Sequence, residues 1–135
     1  MKQKFSTKWV SSKQPRKQRK YSYNAGLHIK NKFLSANISK ELRKKYGIRS
    51  ISVRKGDEVL IMRGSFADKK AKVASVNLKK IRVLLENINR TKKDGSKTEV
   101  YFHPSNLQIQ SLNMEDKKRL KNLSKKENKE TKNAS

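Results

Sequence analysis

Positive charge is very unevenly distributed along this chain. Residues 1–55 contain 17 Lys and Arg against one acid, Glu41, and therefore carry +16 of the total net charge of +25. Repulsion between like charges at this density opposes compaction, and a neighbouring lattice of phosphates removes that penalty. The distribution therefore predicts that a nucleic acid is the partner of the chain.

The composition limits the fold to one domain with extensions, since the chain has 135 residues. Apolar residues make up 33% and charged residues 35%, so part of the chain should be disordered when alone. The sequence contains no Cys, which excludes disulfides and thiolate metal sites. No apolar run approaches the roughly 20 residues of a membrane span. A secretory signal and a membrane-surface helix are also not expected, because the basic segments lack the apolar stretches that these require.

Residues 1–52 are predicted to form a basic extension. Within it, residues 13–20 contain five cations, one Pro and no apolar side chain. Because such a segment cannot offset its loss of entropy by burial, it is predicted to be an extended arm that becomes ordered only on its partner. Two short helices should follow: a weakly indicated one over residues 26–34, and a clearer one with Ser39 as its N-cap and Gly47 as its left-handed stop.

Residues 53–112 change from a helical to an alternating pattern. Five short strands are predicted, containing Val59 and Ile61, Val73 and Val76, Ile81 to Leu85, Thr98 to Phe102, and Leu107 and Ile109. Asp94-Gly95 marks a turn between two of these strands. Five short strands suit a small closed barrel, which leaves few exposed edges. Residues 113–135 are predicted to begin as a short helix at Asn113 and to fade into a disordered tail.

The most specific motif lies at residues 54–64, where a turn glycine enters an alternating apolar strand that a second glycine ends. With the partner strand that starts at 72–76, this run resembles the KOW motif of ribosomal proteins and transcription elongation factors. Further segments resemble the family of the universal large-subunit ribosomal protein twenty-four, in its archaeal and eukaryotic form and closest to the archaeal one. In chain order they are residues 12–20, 23–25, 27–28, 34–36, 39–43, 45–47 and 103–106.

This resemblance covers about residues 12–112 and implies both a fold and a place in the cell. The implied fold is mainly β, with a five-stranded SH3-like barrel at 53–112, a basic N-terminal extension with short helices at 1–52, and a helical or disordered tail at 113–135. The implied function is that of a structural constituent of the large ribosomal subunit in the cytoplasm. Family members bind rRNA directly near its 5′ end, contact neighbouring large-subunit proteins, act early in assembly and lie beside the exit of the nascent-chain tunnel.

Four positions depart from the pattern of that family. The loop after Gly64 usually carries a Lys-Gly pair and then another glycine, and here these positions are Ala67-Asp68 and Ala71. A positive φ at Ala71 would cost about 1 kcal/mol, and Asp68 would repel phosphate. We therefore expect no close RNA contact at residues 67–71. Gly26 stands where the family often has Pro, which loosens the bend that follows.

The predicted RNA contacts are mainly basic side chains, with a few aromatic, amide, hydroxyl and imidazole groups among them. Arg16 and Arg19 are the best candidates for bidentate phosphate contacts, while the nearby Lys side chains act as point charges. The full set is Lys13, Gln14, Arg16, Lys17, Arg19, Lys20, Tyr21, Tyr23, Asn24, His28, Lys30, Lys32, Arg43, Arg49, Arg54, Lys55, Arg63, Lys79, Lys80, Arg82, Arg90, Lys92, Lys93, His103, Ser105 and Asn106.

Several aromatic and hairpin residues admit two interpretations. Tyr21 and Tyr23 suit stacking on unpaired bases as well as packing on the helices, whereas packing is favoured for Phe33 and Tyr46. Trp9 lies outside the resemblance and suits either RNA or a neighbouring protein. Residues 87–99 are predicted to form a protruding hairpin whose tip contacts RNA.

Nothing in the sequence indicates an enzyme, a metal site, a cofactor or a small-molecule substrate. His28 and His103 lie far apart and have no Cys beside them, and His103 is expected to shape a turn. No two carboxylates are spaced for acid–base chemistry, and Asp57 is expected to accept hydrogen bonds from local backbone N–H groups. Two alternatives remain open: a KOW-bearing transcription elongation or antitermination factor, and an architectural DNA-binding protein, for which no recognition helix is visible.

Overall fold

The computed structural model describes residues 12–115 and Arg119. The helices are α1 (Pro15–Asn24), α2 (Leu27–Phe33) and α3 (Lys40–Tyr46), and a 3-10 turn spans Pro104–Asn106. The strands are β1 (Ser35–Ile38), β2 (Ser50–Ser52), β3 (Glu58–Ile61), β4 (Lys70–Asn77), β5 (Arg82–Thr91), β6 (Lys97–Phe102) and β7 (Leu107–Ser111). The predictions for residues 1–11, including Trp9, and for most of the tail after residue 115 lie outside the described residues.

The seven strands form one sheet in the order β2-β1-β7-β3-β4-β5-β6. Strands β3 to β6 follow one another as antiparallel neighbours, and β7 returns to pair antiparallel with β3. Strand β1 pairs parallel with β7 and antiparallel with β2. The mainly β fold is thus confirmed, and the five strands predicted in 53–112 are present as β3 to β7.

Two strands were not predicted, because β1 and β2 lie inside the basic extension. β1 is only four residues long and alternates half-buried with buried residues, with Ala36 and Ile38 inside. An alternation this short is hard to distinguish from loop sequence. Its consequence is that residues 34–48 share one core with the later strands: Leu34 and Ile38 are fully buried together with Ile61 and Ile109.

Helix α1 corrects the prediction of an extended arm. Pro15 occupies the start of the helix, where its fixed φ is favourable and its missing N–H costs nothing. Gln18 Nε2 donates to the Ser12 carbonyl oxygen at 2.8 Å and fastens the first turn. None of the α1 residues is buried. We predicted an extended arm because the segment has nothing to bury. Arg, Lys and Gln also have favourable intrinsic helix propensities, and these propensities explain the helix that is observed.

Helices α2 and α3 confirm the two short helices that the sequence predicted. In α3, Ser39 Oγ accepts a hydrogen bond from the Leu42 backbone N–H at 3.3 Å. Glu41 lies in the first turn, three cations lie in the last turn, and Gly47 ends the helix with φ of +60°. Opposite charges therefore lie at the helix ends that their sign favours.

In the loop after Gly64, where the resemblance led us to expect glycines, the left-handed residue is Asp68, with φ of +64°. Asp tolerates this region better than most residues. Ala71 lies within β4 opposite Val59 and is not among the described residues with positive φ. The replacement of glycine at residue 71 therefore causes no backbone strain.

Candidate nucleic-acid interface

Every predicted RNA contact has a solvent-accessible side chain, and none is buried. The densest group lies on α1, where Arg16, Lys17, Arg19 and Lys20 are all exposed. Because α1 contains no acid in its first turn and no buried residue, its cations are not engaged in the core. The cations of α1 are therefore free of any role in the core and lie in solvent, where they can neutralise phosphates.

Tyr21 and Tyr23, near the junction of α1 and α2, lie in different environments. The Tyr21 ring lies 6.0 Å from the Phe33 ring, centroid to centroid, and is half-buried. Tyr23 is 83% exposed, and its carbonyl oxygen accepts a hydrogen bond from Lys30 Nζ at 3.3 Å. Packing therefore accounts for Tyr21, whereas the Tyr23 ring lies in solvent.

Arg43, one of the predicted RNA contacts, forms hydrogen bonds within the fold itself. Its Nε donates to the Ile38 carbonyl oxygen at 3.0 Å, and its Nη2 donates to Asn37 Oδ1. These bonds hold α3 against β1. Arg49, Lys30 and Lys32 lie on the surrounding surface and are exposed or half-buried.

Arg54 and Lys55 are exposed on the turn before β3, and Asp57 holds that turn in place. Asp57 is fully buried, and its Oδ2 accepts a hydrogen bond from the Arg54 backbone N–H at 2.9 Å. Its Oδ1 accepts one from the Asn113 backbone N–H, also at 2.9 Å. The bond from Arg54 is the local backbone hydrogen bond that the sequence predicted, whereas the bond from Asn113 comes from a distant part of the chain.

Sequence reasoning missed the main partner of Asp57, which is Arg119. The Arg119 guanidinium meets the carboxylate with both Nη atoms, at 2.6 Å and 2.9 Å, and Nη2 also donates to the Ser52 carbonyl oxygen at 3.2 Å. Arg119 is 4% exposed. One signal was available: Arg119 is the only Arg among the eight cations of residues 113–135, and Arg is the residue of choice for buried bidentate pairs.

Lys79 and Lys80 form the exposed tip of the turn between β4 and β5. Asn77 Oδ1 accepts a hydrogen bond from the Lys80 backbone N–H at 3.0 Å. Ile81 follows with φ of +53°, an unusual conformation for a β-branched residue. The turn is therefore held in one shape that presents two adjacent cations to solvent.

A groove at the base of the β5–β6 hairpin brings together predicted contacts from separate parts of the sequence. Arg63, Arg90, His103 and Asn106 all line it, around an apolar floor that includes Phe66 and Phe102. Ser105 does not line this groove, but it shapes one wall through His103.

His103 shapes the 3-10 turn, as predicted. Its Nδ1 accepts a hydrogen bond from the Ser105 backbone N–H at 3.3 Å and lies 2.7 Å from Ser105 Oγ. Burial, and then the positive charge of Arg82, lower the pKa of His103 below its usual value. The imidazole is therefore neutral at physiological pH, with Nε2 carrying the proton that it can donate.

The tip of the β5–β6 hairpin carries the exposed Lys92 and Lys93 beside the Asp94-Gly95 turn. Asp94 Oδ1 accepts hydrogen bonds from Ser96 Oγ at 2.6 Å and from the Ser96 backbone N–H at 2.9 Å. These bonds, the hydroxyl one first, lower the pKa of Asp94. The carboxylate is thus directed into its own turn, between cations that extend into solvent.

The described part of the chain was compared with the requirements of a metal site and of a membrane-spanning helix. Within residues 12–115 and Arg119, no three His, Asp or Glu side chains are grouped so that they could hold a metal ion. None of the helices there has the length and apolar character needed to cross a membrane.

Comparison with known protein families matches residues 12–126 to the family described as ribosomal proteins L26 of eukaryotes and their archaeal counterparts. The match begins where the resemblance in motifs begins and extends beyond residue 112, where that resemblance ends. It therefore includes Asn113 and Arg119, the two residues after β7 that bind Asp57.

Proposed function

Because this chain belongs to the family of the eukaryotic ribosomal proteins L26 and their archaeal counterparts, we propose that it binds rRNA directly as a structural constituent of the large ribosomal subunit. The observation that carries the proposal is α1, whose four clustered cations are exposed and whose residues contribute nothing to the core. Such a helix is useful to a protein whose partner is a polyanion. The family is one of structural ribosomal proteins, and it is not an enzyme family.

The proposal includes the architecture that the resemblance implies. Strands β3 to β7 are the five strands of an SH3-like barrel of the KOW type, supported by their antiparallel order and by the return of β7 to β3. Residues 1–52 act as the basic extension, which β1 and β2 fasten to that barrel, and residues 113–135 act as the charged tail. The protein lies in cytoplasmic ribosomes beside other large-subunit proteins.

The proposed mechanism is neutralisation of phosphates where RNA segments converge. The cations of α1 and of the turns at 54–55, 79–80 and 92–93 lower the cost of packing those segments together. Placement depends on phosphate contacts, and the target is read mainly through RNA shape, because side chains cannot enter the narrow major groove of A-form RNA. We further propose the finer placement that the family implies: the 5′ region of the rRNA, an early step of assembly, and the rim of the tunnel exit.

The salt dependence of binding to purified large-subunit rRNA tests this function. We expect log K to fall steeply with log salt, and replacement of Arg16, Lys17, Arg19 and Lys20 by Gln to reduce that slope by about 3, since each lost phosphate contact removes about 0.7–0.9. The matched control replaces Lys40, Lys44, Lys45 and Lys70 by Gln, which removes the same charge from exposed positions outside the predicted contacts.

Four results would contradict the proposal in different ways. A flat salt dependence would exclude the phosphate mechanism, and equal slopes for the two variants would exclude a special role of α1. Equal affinity for duplex DNA and rRNA, or sedimentation with RNA polymerase instead of ribosomes, would favour one of the two alternative functions. RNA crosslinks mapped inside intact particles would test the placement at the 5′ region.

A further inference from the structure

The groove at the base of the β5–β6 hairpin has an aromatic floor. Phe66, Val100 and Phe102 line it and are half-buried or buried. The Phe66 and Phe102 rings meet edge to face, with their centroids 6.0 Å apart. The groove has a volume of about 500 Å³, which lies within the range of small-ligand sites.

The rim of this groove is cationic and contains hydrogen-bonding groups. Arg63 and Arg90 are exposed on it, and His103 and Asn106 supply an imidazole and an amide. Because His103 Nδ1 accepts from Ser105, its Nε2 is the donor in the neutral ring. None of the described residues that line the groove is acidic. The rim therefore offers cations that can bind a phosphate and hydrogen-bonding groups that can bind the edge of a base.

Tyr101 adds a stacking surface at the outer edge of the groove, because alternation along β6 directs its side chain away from the floor residues Val100 and Phe102. It lines the groove, and 51% of its surface is exposed. Its hydroxyl donates to the Glu99 carboxylate at 3.1 Å, so the orientation of the ring is restrained at its far end. A restrained, half-exposed ring loses little entropy when a planar group stacks on it.

A second groove continues the first along the hairpin. The two share Arg90 and Val100, and the second is also lined by Lys92, Lys93 and one acid, Glu99, so its cations outnumber its single carboxylate. Cations therefore follow one path from Arg63 to the hairpin tip. A single-stranded backbone that leaves the first groove has positive charge along the next stretch of its course.

We propose that this groove binds one unpaired nucleotide of single-stranded RNA, with the base stacked on Tyr101 and the flanking phosphates on Arg63 and Arg90. The inference rests on the proposed rRNA-binding function and adds the site where the protein reads an unpaired base. A base within a duplex is stacked on both faces and cannot enter, so the site selects loops, bulges and ends.

An NMR titration of the full-length protein with single-stranded hexa-adenylate tests the site. We expect amide shift changes at residues 63–66, 90 and 99–106. An RNA duplex of matched length should bind through the helices without moving these signals. Tyr101→Leu should weaken hexa-adenylate binding by about tenfold, the order found for the loss of one stacked base, and Arg63→Gln should weaken it to a similar degree.

Tyr101→Phe is the matched control, because it keeps the ring and removes only the hydroxyl. Its affinity should stay within about twofold of the unsubstituted protein, because stacking needs only the π-face of the ring. Preserved amide dispersion in each variant excludes unfolding as the cause of weaker binding. Equal weakening by Phe and Leu would overturn the stacking role of Tyr101.

Other outcomes separate the failure of the site from that of the proposed function. If large-subunit rRNA binds with a steep salt slope while hexa-adenylate leaves the groove signals unmoved, the groove proposal fails and the function stands. If neither RNA binds, both fail. AMP binding as tightly as hexa-adenylate, or a poly-glutamate peptide moving the groove signals at lower concentration, would show that the groove serves another ligand.

Discussion

At the scale of single residues, the backbone conformation explains where the chain needs a glycine and where it does not. Asp68 has taken a left-handed position, and Ala71 stands where φ is not positive. Gly56 has no such freedom. Its φ is +85°, and a Cβ there would lie 2.6 Å from Asn113 Nδ2. The positive φ at position 56 therefore favours glycine, and a Cβ there would in addition displace the Asn113 amide.

We expect Gly56→Ala to destabilise the protein more than Gly64→Ala, by urea denaturation. Gly64 has φ of +97°, and a Cβ added there would meet nothing within 4 Å, so its substitution should cost about 1 kcal/mol from backbone strain alone. Gly56→Ala should cost that and more, because the Asn113 amide must move. The excess should vanish in an Asn113→Ala background. Equal losses for both glycines would show that the Asn113 contact carries no energy.

At the scale of elements, the buried pair Asp57–Arg119 ties the segment after β7 to the turn before β3. The Asp57 carboxylate accepts two backbone and two guanidinium hydrogen bonds. The same guanidinium reaches the carbonyl oxygen of Ser52 at the end of β2. One ion pair thus joins the chain after β7, the KOW-like turn and the end of the basic extension. Burial of both partners makes this junction sensitive to the loss of either one.

Removal of one partner should therefore be costly. Arg119→Met should reduce the free energy of unfolding by about 3–5 kcal/mol, because it leaves the Asp57 charge buried without its main partner. Asp57→Asn should have a similar effect. The double variant should lose less than the sum of the two, as measured by a denaturation cycle.

The control for this cycle is Lys97→Met, which removes an exposed cation at the start of β6. Its effect should stay within about 0.5 kcal/mol. Additive losses for Asp57→Asn and Arg119→Met would contradict the pairing, and so would a neutral effect of Arg119→Met.

At the scale of the whole molecule, burial of one shared core stabilises the fold, and repulsion within a net charge of +25 destabilises it. Core residues run from Leu34 to Leu112 in a single cluster. Most of the described cations stand outside it, on α1, the turns and the hairpin tip. Repulsion among them opposes the compact state in the absence of a polyanion.

We expect salt to stabilise the free protein for this reason. Raising the ionic strength from about 0.01 M to about 0.15 M shortens the Debye length from about 30 Å to about 8 Å and screens the exposed cations. Calorimetry should show a Tm that rises by several degrees, about 4–8 °C for each kcal/mol of repulsion removed.

The variant in which Arg16, Lys17, Arg19 and Lys20 are replaced by Gln serves as the comparison for this salt effect. It has four fewer cations on α1 and should show a smaller rise in Tm. A Tm that does not respond to salt, or the same response in both proteins, would mean that charge repulsion does not limit stability.

The sequence predicted the elements whose causes are local. Ser39 and Gly47 bound α3 because capping and a left-handed stop need only neighbouring residues. The alternation in residues 58–61 and 107–111 predicted strands because the side-chain period of a strand is two. The sequence also predicted that the RNA contacts are accessible, since long cationic side chains are rarely buried without a partner.

Contacts between distant parts of the chain were decided only by the tertiary structure. Three features join residues that lie far apart in sequence. Strand β1 pairs with β7, Arg119 is buried against Asp57, and one groove is lined by Arg63, Arg90 and His103. Such contacts depend on which surfaces the sheet brings together, and no local pattern encodes that choice. The charge and periodicity of this sequence thus predicted a nucleic-acid partner and most of its elements, whereas the packing of the sheet decided where its cations meet, because long-range contacts form only once the core has closed.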